Sequence, residues 1–358
     1  MTKAIQTAVL GVSGYAGAEL ARLLLNHPHL KGKPPVFAGR VDAKDLEHGG
    51  VALTDIHPQL AGTHGAAGLK LEPFSWEMLS TLGVDKLFLA TPHEQSREWV
   101  PEALKRGLRV IDLSGAWRLA NADYRAVYAF DDEGTELAES TQAEAVYGLP
   151  ELHRQQIPGA RLVANPGCYA TSVILALKPL VAAGLVDLGH GIVADAKSGV
   201  SGAGKAPTPR THFMYAADNL STYSVFSHRH TGELLEQIGI GPCDIVFTPH
   251  LLPIPRGILS TIYVRFKRAQ TRDSLLHVYR QFFAGSPPSP MVRIYEKTLP
   301  QIQYSVRTNY ADIGFQLDAG GTRAVIVSCL DNLLKGAAGQ AVQNLNLMNG
   351  WNEAEGLA

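Results

Sequence analysis

Apolar positions along the chain follow two rhythms. In the first part, short apolar runs alternate with segments of helical period. Ile5–Leu10 predicts a strand, and Ala18–Asn26 a helix that stops at Pro28. Val36–Ala38 predicts a second strand. Lys86–Ala90 and Arg109–Leu113 predict two more, with a helix over Glu98–Arg106 between them. Strands alternating with helices build βαβ units, so a Rossmann-type α/β domain with a parallel sheet is expected. From about Gly191 strands dominate. Ile192–Ala196, Asp244–Thr248, Leu259–Phe266, Asp312–Gln316 and Arg323–Ser328 are separated by few helices, one over Ser274–Phe283 and one after Thr231. That order predicts an α+β domain with a largely antiparallel sheet. Leu333–Met348 carries apolar residues at helical spacing and is expected to return to the first domain. The expected division is therefore 1–165 plus 330–358 for the parallel-sheet domain, and 166–329 for the second. Gly285–Pro290 reads as a loop, and no internal repeat or low-complexity tract is present.

Composition narrows the classes. A chain of 358 residues has room for two domains. The formal net charge of −1 argues against a dedicated nucleic-acid surface. Three cysteines (Cys168, Cys243, Cys329) cannot all pair and share no metal-like spacing, which suits a reduced, intracellular chain. The first strand begins without a basic and then apolar leader, and no apolar run is long enough to span a bilayer. A cytoplasmic location is expected.

Two segments point to a dinucleotide. Gly11-Val-Ser13-Gly14-Tyr15-Ala16-Gly17 lies between the first strand and the first helix. Glycines there allow a tight turn and let the backbone approach a pyrophosphate at the helix start. The second strand ends at Gly39-Arg40, where NAD sites place a carboxylate. A guanidinium suits a 2′-phosphate instead, so NADP is expected with Arg40 as its reader. A second glycine-rich stretch, Ser198-Gly199-Val-Ser-Gly202-Ala-Gly204, follows the strand from Ile192. It reads equally as an anion-binding nest and as a hairpin loop.

The candidate nucleophile is Cys168, in Asn165-Pro-Gly-Cys168-Tyr-Ala-Thr171, at the mouth of an apolar segment running to Val181. A helix start presents unpaired N–H groups and partial positive charge, which favour thiolate. Among 13 histidines, His27, His29, His48, His57 and His64 lie in polar, turn-rich surroundings and are expected at the surface. His228-Arg-His230-Thr-Gly-Glu233 is denser in chemistry. It reads as a catalytic histidine beside its partners, as a metal site, or as a capped helix start. Arg118, after a parallel strand, suits an anion or an exposed loop. Cys243 and Cys329 read as inert, Cys329 as core.

A thiolate beside a nicotinamide suggests reduction of an activated acyl group through a thioester. Here the chain resembles the N-acetyl-gamma-glutamyl-phosphate reductases, relatives of aspartate-semialdehyde dehydrogenase. The glycine loop, Asp112-Leu-Ser114-x-x-x-Arg118, Tyr147-Gly148-Leu-Pro-Glu151, Asn165 to Thr171, Ser198 to Gly204, His228-Arg-His230 and Asn332-x-x-Lys335-Gly336 carry the likeness, in the family's order. The segment from Gly39 to Gly50 departs from the family's Ser-Arg-Ser-x-x-Gly-like pattern. The resemblance implies an NADPH-dependent enzyme of arginine biosynthesis, with Cys168 as nucleophile and His228 as general acid/base. It implies cofactor contacts from Gly11 to Gly17 and near Ser198, Gly199, Gly202 and Asn332. It implies substrate contacts from Arg118, Asn165, His230 and Glu233, no metal, and a homo-oligomer, dimer or tetramer. Two alternatives stay open: a reductase of carrier-protein-linked aminoadipyl or glutamyl phosphates, and a Cys–His acyl hydrolase without nicotinamide.

Overall fold

A computed structural model describes residues 5–285 and 288–357, in two compact units. One takes the chain up to Arg118, Phe130–Asn165 and the segment from Ala338 on. The other takes Leu119–Ala129 and Pro166–Ala337. The Gly285–Pro290 loop falls partly on residues 286 and 287, outside the described ones.

The first unit is built on seven strands: β1 Thr7–Leu10, β2 Val36–Gly39, β3 Glu72–Pro73, β4 Lys86–Leu89, β5 Arg109–Asp112, β6 Ala145–Tyr147 and β7 Leu162–Ala164. All pair in parallel, in the order β3-β2-β1-β4-β5-β7-β6. The central strands are apolar on both faces because helices cover both, as parallel sheets require. Ala8, Leu10, Leu87, Leu89, Val110 and Trp117 share one such core. The helix Tyr15–Asn26 follows β1, and the last helix, Gly339–Met348, packs against it.

Two histidines expected at the surface are buried in this unit. His27 caps the short turn after Tyr15–Asn26, and its Nε2 lies 2.9 Å from Asn346 Oδ1 on the last helix. Burial lowers its pKa. His57 places Nε2 2.7 Å from the Val12 carbonyl. Both occur in turn-rich sequence, yet each supplies a bond that a buried backbone or amide group needs. His29, His48 and His64 are exposed.

The second unit holds β8 Ile192–Gly199, β9 Ser221–Thr222, β10 Ile245–Leu252, β11 Ile258–Arg265, β12 Val292–Tyr295, β13 Ala311–Leu317 and β14 Arg323–Leu330. Their order is β12-β13-β14-β11-β8-β10-β9. The sheet is mixed and mostly antiparallel: β8–β10 and β12–β13 are its parallel pairs. Alternation is clear in β11, where Ile258, Ser260, Ile262 and Val264 are buried. The helix Cys168–Ala182 packs on β11 and β14. Ser172 Oγ donates there within a buried hydroxyl cluster, 2.8 Å from Ser260 and 3.1 Å from Ser328.

The return to the first unit falls at Ala338 rather than at 330. After β14, Asp331 accepts from the N–H groups of Leu333 and Leu334, and a π-type turn spans Leu334–Ala338 before the last helix begins. Leu119–Ala129 joins the second unit because Glu236 accepts the N–H groups of Ala120 and Asn121. Leu119 and Tyr124 also close over Gly232. Among the described residues no helix is long and apolar enough to cross a membrane.

Candidate active site

The geometry around Cys168 starts from its own helix. Gly167 is the N-cap of Cys168–Ala182 and gives no side-chain cap, and the first turn holds no acidic residue. Thr171 N–H donates to Gly167 O at 2.8 Å, so the helical ladder begins one turn in. A helix start of this kind carries partial positive charge, which favours an anion on sulfur or on an oxygen bound there.

The turn before Cys168 is clamped from one side. Gly167 N–H donates to Glu233 Oε2 at 2.8 Å, and Glu233 is fully buried. A Cβ on Gly167 would stand far inside contact with the His230 ring and 2.7 Å from Glu233 Oε1. From the other side, a Cβ on Gly336, within the π-type turn, would lie 2.7 Å from Cys168 Cβ. Irregular helical turns of this kind recur where a helix gives room to a functional group.

His228 and Cys168 line one cavity of about 460 Å³, together with Tyr169, Ser198, Gly202 and His230. The two imidazoles of the His-Arg-His segment lie 4.7 Å apart, edge to face. His230 N–H donates to His228 Nδ1 at 3.1 Å. A neutral ring that accepts at Nδ1 carries its proton on Nε2. Burial, and then the Arg229 charge, push His228 down to about 4. Its resting form near neutral pH is therefore the uncharged imidazole with an Nε2–H donor. The metal alternative finds no support in this cluster: Glu233 is turned to Gly167, and among the described residues no group of three or more metal-ligating side chains is present.

Tyr169, Tyr223, Arg210 and Arg229 complete the walls and were not singled out from sequence. Tyr169 OH donates to His250 O at 2.6 Å, and burial raises its pKa far above the ordinary range. Arg229 lies inside the His-Arg-His motif, where its neighbours could have flagged it. Arg210 follows an ordinary Thr-Pro pair and carries no such signal.

Asn332 ties the second glycine loop to the sheet. Its Oδ1 accepts Gly257 N–H at 2.7 Å, and its Nδ2 donates to Ser201 Oγ at 2.9 Å. A Cβ on Gly199 would strike the Arg256 backbone, and one on Gly202 would press Ser198 Oγ. The two other cysteines lie elsewhere: Cys329 is buried in β14, its thiol pushed up to about 12, and Cys243 is exposed.

The first unit carries the dinucleotide candidates. Gly11 has φ +84°, and a Cβ there would collide with the Ala90 carbonyl. At Gly17 a Cβ would stand 2.7 Å from Val12 Cα. Gly14, the N-cap of Tyr15–Asn26, differs: a Cβ there would meet nothing closer than Gly11 O at 3.8 Å. The space in front of the helix start is open where a side chain would fill it, and the first turn has no carboxylate. Ser13 and Tyr15 are exposed beside it, and Ala16 is half-buried. These residues fit a pyrophosphate. His57 braces the loop by its bond to Val12 O.

Arg40, just past β2, is almost fully exposed, with Asp42 3.5 Å away. Asp42 itself caps the helix Ala43–Glu47 through a reciprocal pair with Asp45. Arg118 donates Nε to Asn165 O at 2.7 Å and Nη2 to Leu113 O at 2.8 Å, joining the ends of β5 and β7. Asn165 is buried, and its Oδ1 accepts from Asn344 at 3.1 Å.

Two family models match successive parts of the chain. Residues 6–160 match the family model "Semialdehyde dehydrogenase, NAD binding domain", and 168–332 match "Semialdehyde dehydrogenase, dimerisation domain". The chain is 42% identical over 358 residues to N-acetyl-gamma-glutamyl-phosphate reductase of Geobacillus stearothermophilus, covering 99% of this chain and 98% of the relative. It is 40% identical to the Methanococcus maripaludis protein of that name, covering 98% and 97%. The fold is similar to aspartate semialdehyde dehydrogenase II of Vibrio cholerae: TM-score 0.66, 16% identity, covering 97% of this chain and 98% of the other.

Proposed function

The chain belongs to the N-acetyl-gamma-glutamyl-phosphate reductase family of semialdehyde dehydrogenases, and from that premise we propose that it reduces N-acetyl-gamma-glutamyl phosphate to N-acetylglutamate 5-semialdehyde and phosphate with NADPH, a step of arginine biosynthesis. The observation that carries this reading is Cys168 at an uncapped helix start, sharing one cavity with a neutral His228. We further propose that it works in the cytoplasm as a homo-oligomer.

The Cys168 thiolate attacks the acyl carbon. The carbon–oxygen bond to phosphate breaks, phosphate leaves with the electron pair and takes a proton from solvent, and a thioester remains. Gly11 to Gly17 would hold the dinucleotide pyrophosphate, and Arg40 the 2′-phosphate. When bound, the nicotinamide supplies the hydride that reduces the thioester. The carbon–sulfur bond then breaks, releasing aldehyde and restoring the thiolate. In this reading two groups would face the carbonyl oxygen as it gains charge: the helix start and His228 Nε2–H, which shares the cavity with Cys168. A neutral imidazole whose pKa has been lowered is a stable donor to such an oxygen, because it does not surrender its proton outright. The acid/base role implied by resemblance thus becomes mainly hydrogen-bond donation. Glu233, His230 and Gly336 hold the nucleophile's turn. Asn332 holds the second glycine loop. Arg118 and Asn165 brace the strand ends first, with the substrate phosphate as a second role for Arg118.

The test is phosphate-dependent NADP reduction with N-acetylglutamate semialdehyde, run beside aspartate semialdehyde. Turnover of the first with little of the second is expected; the reverse order overturns the substrate. Arg40→Ala should raise KM for NADP about 10- to 100-fold, the worth of a charge-assisted bond, and leave that for NAD in place. An equal change for both cofactors removes Arg40 from the 2′-phosphate.

Ring NMR provides a check free of turnover. His228 should titrate near 4 instead of its ordinary 6.5, and keep its proton on Nε2 at neutral pH. The sign for stability follows. Between these values the unfolded chain binds the proton and the folded chain does not, so stability rises with pH across that window. Relative to His228→Asn, the wild type should lose about 3 kcal/mol as pH falls from above 6.5 to below 4. A curve parallel to the variant's contradicts the assignment.

A further inference from the structure

We propose that Arg210 recognises the free α-carboxylate of the substrate, and so makes this cavity a site for N-acyl amino acids that keep that carboxylate. The inference rests on the reaction proposed above and names a residue that the reaction alone does not require.

The substrate is anionic at both ends, with phosphate on the reacting carbon and carboxylate at the far end. The reacting end must lie against Cys168 and His228. Two guanidinium groups line the same cavity, Arg210 and Arg229. Arg229 follows His228 in the chain, and its guanidinium leans toward the Tyr128 ring, 5.9 Å from its centre, a ring that does not line the cavity. Arg210 arrives from a separate segment, past the second glycine loop.

The Arg210 guanidinium lies over the Tyr223 ring, 5.0 Å from its centre. A guanidinium drawn over an aromatic face still has N–H donors to give, and a guanidinium can take a carboxylate in two bonds. Other arginines of this unit are spent: Arg256 pairs with Asp331 at 3.0 Å and Arg293 with Asp312 at 2.6 Å. Among the described residues Arg210 has no carboxylate within ion-pair distance. A stacked cation facing a cavity, without an anion of its own, is matched by the one anionic group that the reacting end leaves unaccounted for.

Protection of Cys168 from iodoacetamide tests this without turnover. N-acetylglutamine presents a free α-carboxylate and a neutral side chain; its α-amide, N-acetylglutaminamide, lacks the charge. In the wild type the acid should protect about 10- to 100-fold more tightly than the amide, as expected for one charge-assisted pair. Arg210→Gln should abolish that difference, Arg210→Lys restore part of it, and Arg229→Gln preserve it. In turnover, Arg210→Gln should raise KM for N-acetylglutamate semialdehyde and leave KM for phosphate in place. Acid and amide protecting alike in the wild type, a preference that survives Arg210→Gln, or a loss that follows Arg229 instead, each overturns the inference. Selective protection without semialdehyde turnover would keep the anchor and remove the reaction.

Discussion

Cys168→Ser should leave the protein folded and still binding NADPH, with acyl-phosphate reduction lowered by at least about 10³-fold. The reason lies in what the helix start can do. Its N–H groups and dipole shift an ionisation by up to about 2 kcal/mol in partly buried geometries. That is enough to bring a thiol to its anion near neutral pH, and far short of what a serine hydroxyl needs. His228 cannot make up the gap. Its Nδ1 accepts from His230 N–H, and its Nε2 carries the proton, so no lone pair is offered to a hydroxyl. Neither remaining cysteine substitutes, one being buried with its thiol pushed up to about 12 and the other lying in the turn before β10. Fluorescence titration with NADPH separates binding from chemistry, and a single-turnover assay reports acyl transfer. Wild-type turnover in the variant would end the thioester mechanism.

What the sequence made legible follows from how local each signal is. β1, β4 and β5 are four-residue apolar runs, and their alternation with helical segments is what predicts a parallel sheet. The second unit's strands alternate cleanly, as in β11. Strands of two to four residues, such as β3, β6, β7, β9 and β12, are too short to show a period. They exist because a neighbouring edge is there to pair with. The buried histidines show the same limit. His57 looks like a loop residue until the Val12 carbonyl, 45 positions away, needs a donor. The last helix was expected from Leu333, because Leu333 and Leu334 fit its apolar spacing. Asp331 instead captures their N–H groups, and Gly336 has to pass close to Cys168. At the site, Cys168 and His228 were visible as residue types in dense motifs. Arg210 was not, since its significance comes only from the ring beneath it and the cavity before it.

Gly167→Ala should cost both stability and rate, about 1–3 kcal/mol and at least about 10²-fold in kcat. Backbone preference is not the cause. Gly167 has φ −71° and ψ 144°, an extended conformation that alanine adopts freely. Space is the cause. The added Cβ would run into the His230 ring and stand 2.7 Å from Glu233 Oε1. Glu233 is fully buried, and the His230 ring lies edge to face with the Tyr169 and His228 rings, so neither yields freely. Two ways of relieving the clash remain. Glu233 can retreat, which breaks its bond to Gly167 N–H and leaves a buried carboxylate short of a donor. Otherwise the turn itself moves, and Cys168 moves with it, out of its close approach to Gly336. Either way the sulfur leaves its place beside the helix N–H groups, and a displacement of about 1 Å is enough for the predicted loss. Glu233→Gln is the informative companion, because it keeps the shape and a carbonyl acceptor for Gly167 N–H and should cost far less. Thermal melts, together with kcat and KM for the semialdehyde, separate the two effects. If Gly167→Ala melts with the wild type and keeps its kcat, the clamp on the nucleophile's turn is not what positions Cys168.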